Sequence, residues 1–320
     1  MKLLLFISMI SMLFAGSALP QEPPKVRLGI ISPSQTWVAF MHQHTLPELA
    51  RRGFTVGRNM TLEERIGPPD QIPSLARDLA ASKPDVVIAV SDLAIRGVFS
   101  ADPQVPIVMS FIGGSPVAAG YAASLSRPGG RVTGLMMLAD ELDTKRLELL
   151  HEVIPSAKRI GVLRGLPPRH ETNIAQIRSV AERLGLTVQS FPVSGPDGYR
   201  AALQSMRDAN MDALLILPAP EFARDAAILA GAATEAGLPT VCEWSFMARE
   251  GCLIGYGPSY TELLQRTGAL VAKVLRGIPA GEIPIEQPVS FELALNLRTA
   301  QTLGIAFQPT ILARADEVIE

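Results

Sequence analysis

The alternation of short aliphatic strands with amphipathic helices restricts this chain to one class of fold. Several strand-like runs are continuous aliphatic stretches, as expected where helices cover both faces of a sheet. Helices with a 3.6-residue hydrophobic period lie between them, and such alternation predicts parallel sheets with right-handed crossovers. The runs are Val26–Ile31, Thr61–Arg65, Val86–Val90, Ile107–Met109, Arg159–Leu163, Thr187–Phe191, Ala213–Leu217, Pro239–Cys242 and Leu253–Tyr256.

The length of the chain predicts two lobes. Its 320 residues exceed the usual size of a single domain. The stretch RPGGRVTGL, residues 127–135, contains Pro and paired Gly and is expected to be a loop between two doubly wound, Rossmann-like α/β units. Ligands of such sheets bind outside the carboxyl ends of the strands, so we expect function in the loops that follow the strands.

The N-terminal residues have the features of a secretory signal peptide. Lys2 gives a positive start, and Leu3–Phe14 is an apolar run that is short for a membrane span. Small residues at 16–18 offer a cleavage site after Ala18. We therefore expect residues 1–18 to be removed on export rather than retained as an anchor, which predicts a periplasmic protein.

The two cysteines are expected to be free. An oxidising compartment permits a disulfide between Cys242 and Cys252. However, Cys242 ends one predicted strand and Cys252 begins the next. If these strands are parallel neighbours, the thiols lie toward opposite ends of the sheet, so the sequence favours buried, unpaired cysteines.

Composition and motifs argue against several functions. The net charge of -2 with mixed charge patterning provides no basic stripe for nucleic acid. The four histidines have no metal-ligand spacing, and the chain contains neither a GxSxG nucleophile elbow nor a P-loop. We therefore predict no catalytic residues, no metal site and no cofactor.

Several phrases together resemble a known family. They are RRGFTVGRN, VPIVMSFIGGSPVAAGYAASLSRPGGRVTGL, KRLELLHEVIPSAKRIGVL, GYGPSYTELLQR and PIEQPVSFELALNLRTAQTLGIAFQPTILARADEVIE. The chain resembles the ABC-transporter substrate-binding proteins of the tryptophan/tyrosine-binding type over nearly all of its predicted mature length. The resemblance implies a type I periplasmic binding protein fold, in which hinge closure between two lobes traps a ligand for a membrane permease. It implies a small-molecule ligand, and we expect a monomer.

The family connectivity also implies lobe boundaries. Lobe one would comprise residues 26–134 plus about 258–287, and lobe two residues 135–257 plus about 288–320. Three crossovers would join the lobes, near Gly134, Gly257 and Pro288.

The chain departs from the family pattern in two loops that border the expected cleft. Ser115-Pro116 stands where the family commonly has Asp-Pro, and Arg164-Gly165-Leu166 stands where it often has Trp-Asn-Pro. The ligand can therefore differ from the aromatic amino acids bound by some relatives.

Candidate ligand-binding residues follow the strands of the first unit, and each has a structural alternative. Trp37 offers a stacking surface for a planar ligand, or covers the sheet edge as a core residue. The other candidates supply hydroxyl, amide, carboxylate or aromatic groups in loops at strand ends, or else cap helices and form tight turns. They are Ser32, Gln35, Thr36, Ser91, Asp92, Ser110, Phe111 and Ser115.

The second unit offers a parallel set of candidates. Arg164 could clamp a carboxylate in a bidentate manner, or be a solvated arginine at the loop rim. Glu221 and Glu243 could meet a ligand amine or hydroxyl; the alternatives are that they cap helices or lie exposed at the surface. Trp244 and Tyr256 add aromatic surface, although Tyr256 could instead pack at the hinge.

The leading hypothesis is an exported solute-binding receptor of an ABC import system for an aromatic or apolar carboxylate or amino acid. The alternative is a periplasmic sensory module that presents its ligand to a membrane signalling protein. The sequence does not separate these two functions.

Overall fold

A computed structural model describes residues 25–165 and 171–320. The predicted signal peptide lies outside these residues. The described chain forms twelve strands: β1 Val26–Ser32, β2 Met60–Ile66, β3 Val86–Val90, β4 Ile107–Ile112, β5 Val132–Met136, β6 Arg159–Arg164, β7 Thr187–Pro192, β8 Ala213–Ile216, β9 Thr240–Cys242, β10 Ile254–Pro258, β11 Phe291–Asn296 and β12 Glu317–Ile319.

The helices of the described chain alternate with these strands over most of its length. They are α1 Gln35–Arg51, α2 Ile72–Ala81, α3 Asp92–Ala101, α4 Ala139–Val153, α5 Glu171–Arg183, α6 Gly195–Asp208, α7 Pro220–Arg224, α8 Ala226–Glu235, α9 Ser245–Arg249, α10 Tyr260–Leu275, α11 Leu297–Thr302 and α12 Pro309–Leu312.

The strands form two sheets, as the alternation predicted. The first sheet has the order β2-β1-β3-β4-β5 and is parallel throughout. The second has the order β12-β11-β10-β9-β8-β6-β7, in which the pair β10–β11 is antiparallel and the other pairs are parallel. Buried aliphatic side chains fill the layers between sheets and helices. This is the two-lobed α/β architecture of a type I periplasmic binding protein.

The chain passes between the two sheets three times. It leaves the first sheet after β5 and enters the second through α4. It returns after β10, because α10 packs on α1 and on the first sheet. Glu286 then forms an isolated β-bridge with Leu135 of β5, and the chain crosses a third time to form β11 in the second sheet.

The expected loop over residues 127–135 is only partly a loop. Its second half is β5, which pairs with β4 at the edge of the first sheet. Val132 and Thr133 are β-branched and fully buried, so they favour a strand although Pro128 and two glycines precede them. The turn residues mark the start of a strand rather than a linker.

The expectation of free cysteines is wrong. Cys242 and Cys252 form a disulfide, with their Cα atoms 6.4 Å apart. The inference from opposite sheet ends fails because β9 has only three residues and Cys252 lies before β10, which begins at Ile254. The distance along the sheet is therefore short enough for disulfide geometry.

Breaking this disulfide is expected to lower the free energy of unfolding by about 2–3 kcal/mol, because it closes a loop of about ten residues in the unfolded chain. Urea unfolding of the wild type with and without reductant measures the change. The variant Cys242→Ala/Cys252→Ala should have the midpoint of the reduced wild type and should not respond to reductant. Equal wild-type midpoints in both conditions would contradict the expectation.

Candidate functional site

The carboxyl ends of the strands in the two sheets lie against each other, and we call the region where they meet the cleft. Trp37, which follows β1, and Phe111, which lies inside β4 rather than in the loop predicted after it, contact Trp244, which follows β9 of the second sheet. The ring centroids of Trp37 and Trp244 are 5.0 Å apart, and those of Phe111 and Trp244 are 5.6 Å apart. Ligands of parallel α/β sheets bind at this edge, so these contacts place the candidate site.

Six aromatic side chains form what we call the cross-cleft aromatic cluster. The rings of Trp37 and Phe111 stack at 4.0 Å with an interplanar angle of 30°. Phe246 meets Trp37 edge-on at 6.0 Å and lies 5.2 Å from Phe40. Stacked and edge-to-face contacts are the preferred geometries of aromatic pairs. The members are Trp37, Phe40, Phe111, Trp244, Phe246 and Tyr260.

Two residues at the first-sheet edge have strained backbones. Phe111 has φ 57° and Ser91 has φ 79°, values that residues with a side chain adopt rarely. Such conformations persist when the surrounding structure holds them, and they are common at ligand sites. The left-handed conformation of Phe111 occurs in the same residue whose ring stacks on Trp37.

Serine hydroxyls lie buried at the same edge. The Ser32 Oγ accepts from the backbone N of Ser34 at 3.0 Å and donates to its carbonyl at 2.9 Å, so Ser32 shapes the turn before α1. Within residues 25–165 and 171–320, the Oγ atoms of Ser34 and Ser91 find no hydrogen-bond partner. Buried polar groups are normally paired, so these two hydroxyls are exceptions at this edge. Gln35 is exposed and Thr36 half-buried at the start of α1.

The other predicted residues of the first unit have partners within the protein. Asp92 accepts from the Tyr121 hydroxyl at 2.8 Å and pairs with Arg96 at 3.0 Å. The buried Ser110 hydroxyl lies 3.5 Å from that of Thr267 on α10. Ser115 is exposed, and its Oγ accepts from the backbone N of Ala118 at 3.2 Å.

Three predicted residues of the second unit also make internal contacts. The Arg164 Nε donates to Ser190 Oγ at 2.9 Å, so the guanidinium is held against β7. Glu221 packs against Gly165, where a Cβ would lie 2.8 Å from its Oε1. The ring of Tyr256 stacks on Phe291 at 6.4 Å, beside the segment through which the chain enters β11.

Four polar residues form a second feature, the buried charge cluster, which comprises Asp143, Arg146, Asn173 and Glu243. Asp143 and Arg146 lie one turn apart on α4 and form a fully buried ion pair. The Arg146 Nε donates to the Tyr256 carbonyl at 2.7 Å, and the Asn173 Nδ2 donates to Asp143. In the described chain, Arg146 Nη2, Asn173 Oδ1 and Glu243 Oε1 have no hydrogen-bond partner.

The cluster lies at the cleft edge of the second sheet. Glu243 directly follows β9 and precedes Trp244 of the aromatic cluster. A Cβ at Gly257 would overlap the Glu243 carbonyl and lie 3.4 Å from Arg146 Nη2, so both residues flank the end of β10.

Burial sets the protonation of Glu243. Loss of water contact raises the pKa of its carboxyl to about 8; Asp143 adds to the rise and Arg146 opposes it. Burial therefore favours the protonated form of this carboxyl.

Comparison with known proteins identifies the family to which this sequence is related. The profile of the family described as ABC transporter substrate binding protein matches residues 49–319. The chain belongs to this family. Substrate-binding proteins with related sequences include the tyrosine-binding protein of Clostridioides difficile strain R20291. It is 26% identical over 261 residues, which cover 80% of this chain and 74% of the relative.

Solved structures share the fold. A conserved domain protein from Vibrio cholerae has a TM-score of 0.84 at 23% identity and covers 92% of this chain and 99% of its own. An ABC domain from Streptococcus pneumoniae in complex with L-Trp has a TM-score of 0.83 at 22% identity and covers 92% of this chain and 100% of its own. Substrate-binding proteins of this family are typically exported, and no helix in the described part of this one is long and apolar enough to cross a membrane.

Sequence patterns gave no sign of Asp143, Arg146 and Asn173 as site residues. Charged residues on an amphipathic helix are usually placed on its solvent face. Asp143 and Arg146 nevertheless share helical spacing with Leu147 and Leu150, which are buried on the same helix. A charged pair in register with an apolar stripe is the signal that could have identified them.

Proposed function

We propose that this substrate-binding protein is the exported receptor of an ABC import system. It captures a small organic solute with a planar or apolar body in the cleft and delivers it unchanged to a membrane permease. The lobes are residues 26–134 plus about 258–287 and residues 135–257 plus about 288–320, and the protein acts as a periplasmic monomer.

One observation carries the proposal. Apolar rings and unpartnered buried polar atoms occur together at the cleft edges of both sheets. Trp37 and Phe111 come from the first sheet and Trp244 from the second, so one molecule between them would contact both lobes. Contacts with both lobes stabilise a closed state over an open one, which is how hinge closure is driven.

In this proposal, four of the predicted residues contact the solute directly: Trp37, Phe111, Trp244 and Ser91. Ser32, Asp92, Ser110, Arg164 and Tyr256 support the walls of the cleft through the contacts described above. The rim of the cleft is formed in this proposal by the remaining predicted residues, Gln35, Thr36, Ser115 and Glu221.

Thermal unfolding with a panel of aromatic amino acids, aliphatic amino acids and aromatic carboxylates tests the capture step. A solute at 100 times its dissociation constant should stabilise the protein by about 2.7 kcal/mol and raise the Tm. The bound solute should be recovered chemically unchanged. Absence of any shift across the panel, together with no co-purified solute by native mass spectrometry, would contradict the proposal.

Delivery needs its own measurement, because capture alone also fits a sensory module. Uptake of the identified solute should fall in cells that lack this gene and recover with the wild-type gene. Unchanged uptake despite tight binding would exclude the transport role.

A further inference from the structure

We infer that Glu243 is a charge-selecting residue that exchanges its proton for the ammonium group of the ligand, so that this substrate-binding protein prefers amine-bearing solutes over their des-amino analogues. The inference rests on the proposed capture function and specifies which class of solute the site takes.

The buried charge cluster lacks one positive charge when Glu243 is ionised. The charged groups that act on Glu243 in the described chain are Arg146 and Asp143, both from α4. These two already form an ion pair with each other. Ionised Glu243 would add a buried negative charge without a cation of its own, which is costly. In the ligand-free protein a proton fills this role, and the raised pKa of Glu243 agrees with that.

The unpartnered atoms of the cluster match an ammonium group beside an oxygen. Asn173 donates through Nδ2 to the Asp143 carboxylate, so its Oδ1 is fixed as an acceptor. Asn173 Oδ1 and Glu243 Oε1 can both accept from an ammonium group, whereas Arg146 Nη2 can donate to a carboxylate or carbonyl oxygen of the same molecule. Glu243 is 5% exposed, Asn173 2% and Arg146 0%, so water competes little at these positions.

The aromatic cluster lies next to this set of atoms in the chain. Glu243 and Trp244 are consecutive, and Trp244 contacts Trp37 and Phe111. An amine group bound at Glu243 would therefore leave the body of the solute among these rings.

Proton exchange has a definite pH dependence. The ammonium group stays charged near neutral pH, and Glu243 releases its proton to solvent when the ammonium group binds. Affinity should therefore rise with pH until the pKa of the free carboxyl, by up to about tenfold per pH unit below about 8. Above that pH the dependence should level off.

Calorimetric titration with matched ligand pairs tests the inference. The pairs are L-tryptophan and indolepropionate, L-tyrosine and hydroxyphenylpropionate, and L-leucine and isocaproate. At about pH 6.5, phosphate and imidazole buffers, which have different ionisation enthalpies, should reveal release of close to one proton for each bound amino acid. At least one amino acid should bind at least about tenfold more tightly than its des-amino partner, a difference of about 1.4 kcal/mol.

The variant Glu243→Gln isolates the residue. Glutamine has the shape of the protonated carboxyl, so the variant should fold, with a melting temperature near that of the wild type. Proton release, pH dependence and the preference for the amine should be lost. Glu250→Gln is the matched control, because Glu250 is exposed at the end of the short helix that follows Trp244 and should leave all three properties unchanged.

The outcomes are distinguishable. Equal binding of the amino acid and its des-amino partner, or binding without proton release in the wild type, overturns the role of Glu243 while the capture function stands. Failure of the wild type to bind any pair, in a protein that also shows no Tm shift with the wider panel, overturns the capture function and this inference with it.

Discussion

Asp143→Ala is expected to lower the free energy of unfolding by about 3–5 kcal/mol. The substitution leaves the Arg146 guanidinium charged and fully buried without its carboxylate, and it removes the acceptor of the Asn173 amide. The remaining bond from Arg146 to the Tyr256 carbonyl does not neutralise the charge. Urea unfolding monitored by circular dichroism gives the difference from the wild type.

The double variant Asp143→Ala/Arg146→Met is the control for this effect. Removing both charges leaves no unpaired ion, and apolar replacement of a buried pair is often nearly neutral. The double variant should therefore be more stable than the single one, although it has lost two polar residues instead of one. A single variant within about 1 kcal/mol of the wild type would contradict the expectation and indicate that Glu243, no longer repelled by Asp143, ionises and neutralises the guanidinium.

Gly134→Ala is expected to destabilise the protein by about 3 kcal/mol or more. Gly134 has φ 141°, and a Cβ at this position would overlap the backbone nitrogen and carbonyl oxygen of Met109 in β4. Backbone strain and overpacking each cost about 1–3 kcal/mol, and here backbone atoms rather than a flexible side chain would have to move. Thermal and urea unfolding measure the loss.

Gly231→Ala provides the matched substitution. Gly231 is an exposed residue inside α8, and beyond the adjoining helix backbone a Cβ there meets no atom of the described chain within 4 Å. Alanine at this position should stabilise the protein by about 0.5–1 kcal/mol through helix propensity. Similar effects of the two substitutions would contradict the packing argument at Gly134.

The fold could be predicted because its signals are local. Continuous aliphatic runs such as Val86–Val90 identify strands covered on both faces, and this strand has the predicted bounds. The same reasoning placed Trp37, Phe111 and Trp244 at strand ends, where the structure brings them together across the cleft. Strand ends are defined by sequence, and the parallel topology determines which of them meet.

The electrostatics of the site depend on tertiary contacts that no local pattern contains. Arg164 carries the charge that a strand-end loop should offer a ligand, yet its Nε bonds to Ser190 of the adjacent strand. Arg146 lies in the middle of a helix and has the unpartnered guanidinium nitrogen instead. Similarly, the cysteine pairing depends on the short length of β9, which has only three residues.

The cross-cleft aromatic cluster allows the relative position of the two sheets to be followed by intrinsic tryptophan fluorescence. The chain has two tryptophans, and both belong to the cluster. One is attached to each side of the cleft, at 3% and 1% exposure. The entire indole emission therefore originates where the two sheets face each other. Separation of the sheets would bring both indoles into water, so domain motion and ligand capture can be followed in the unlabelled wild type without introducing a dye.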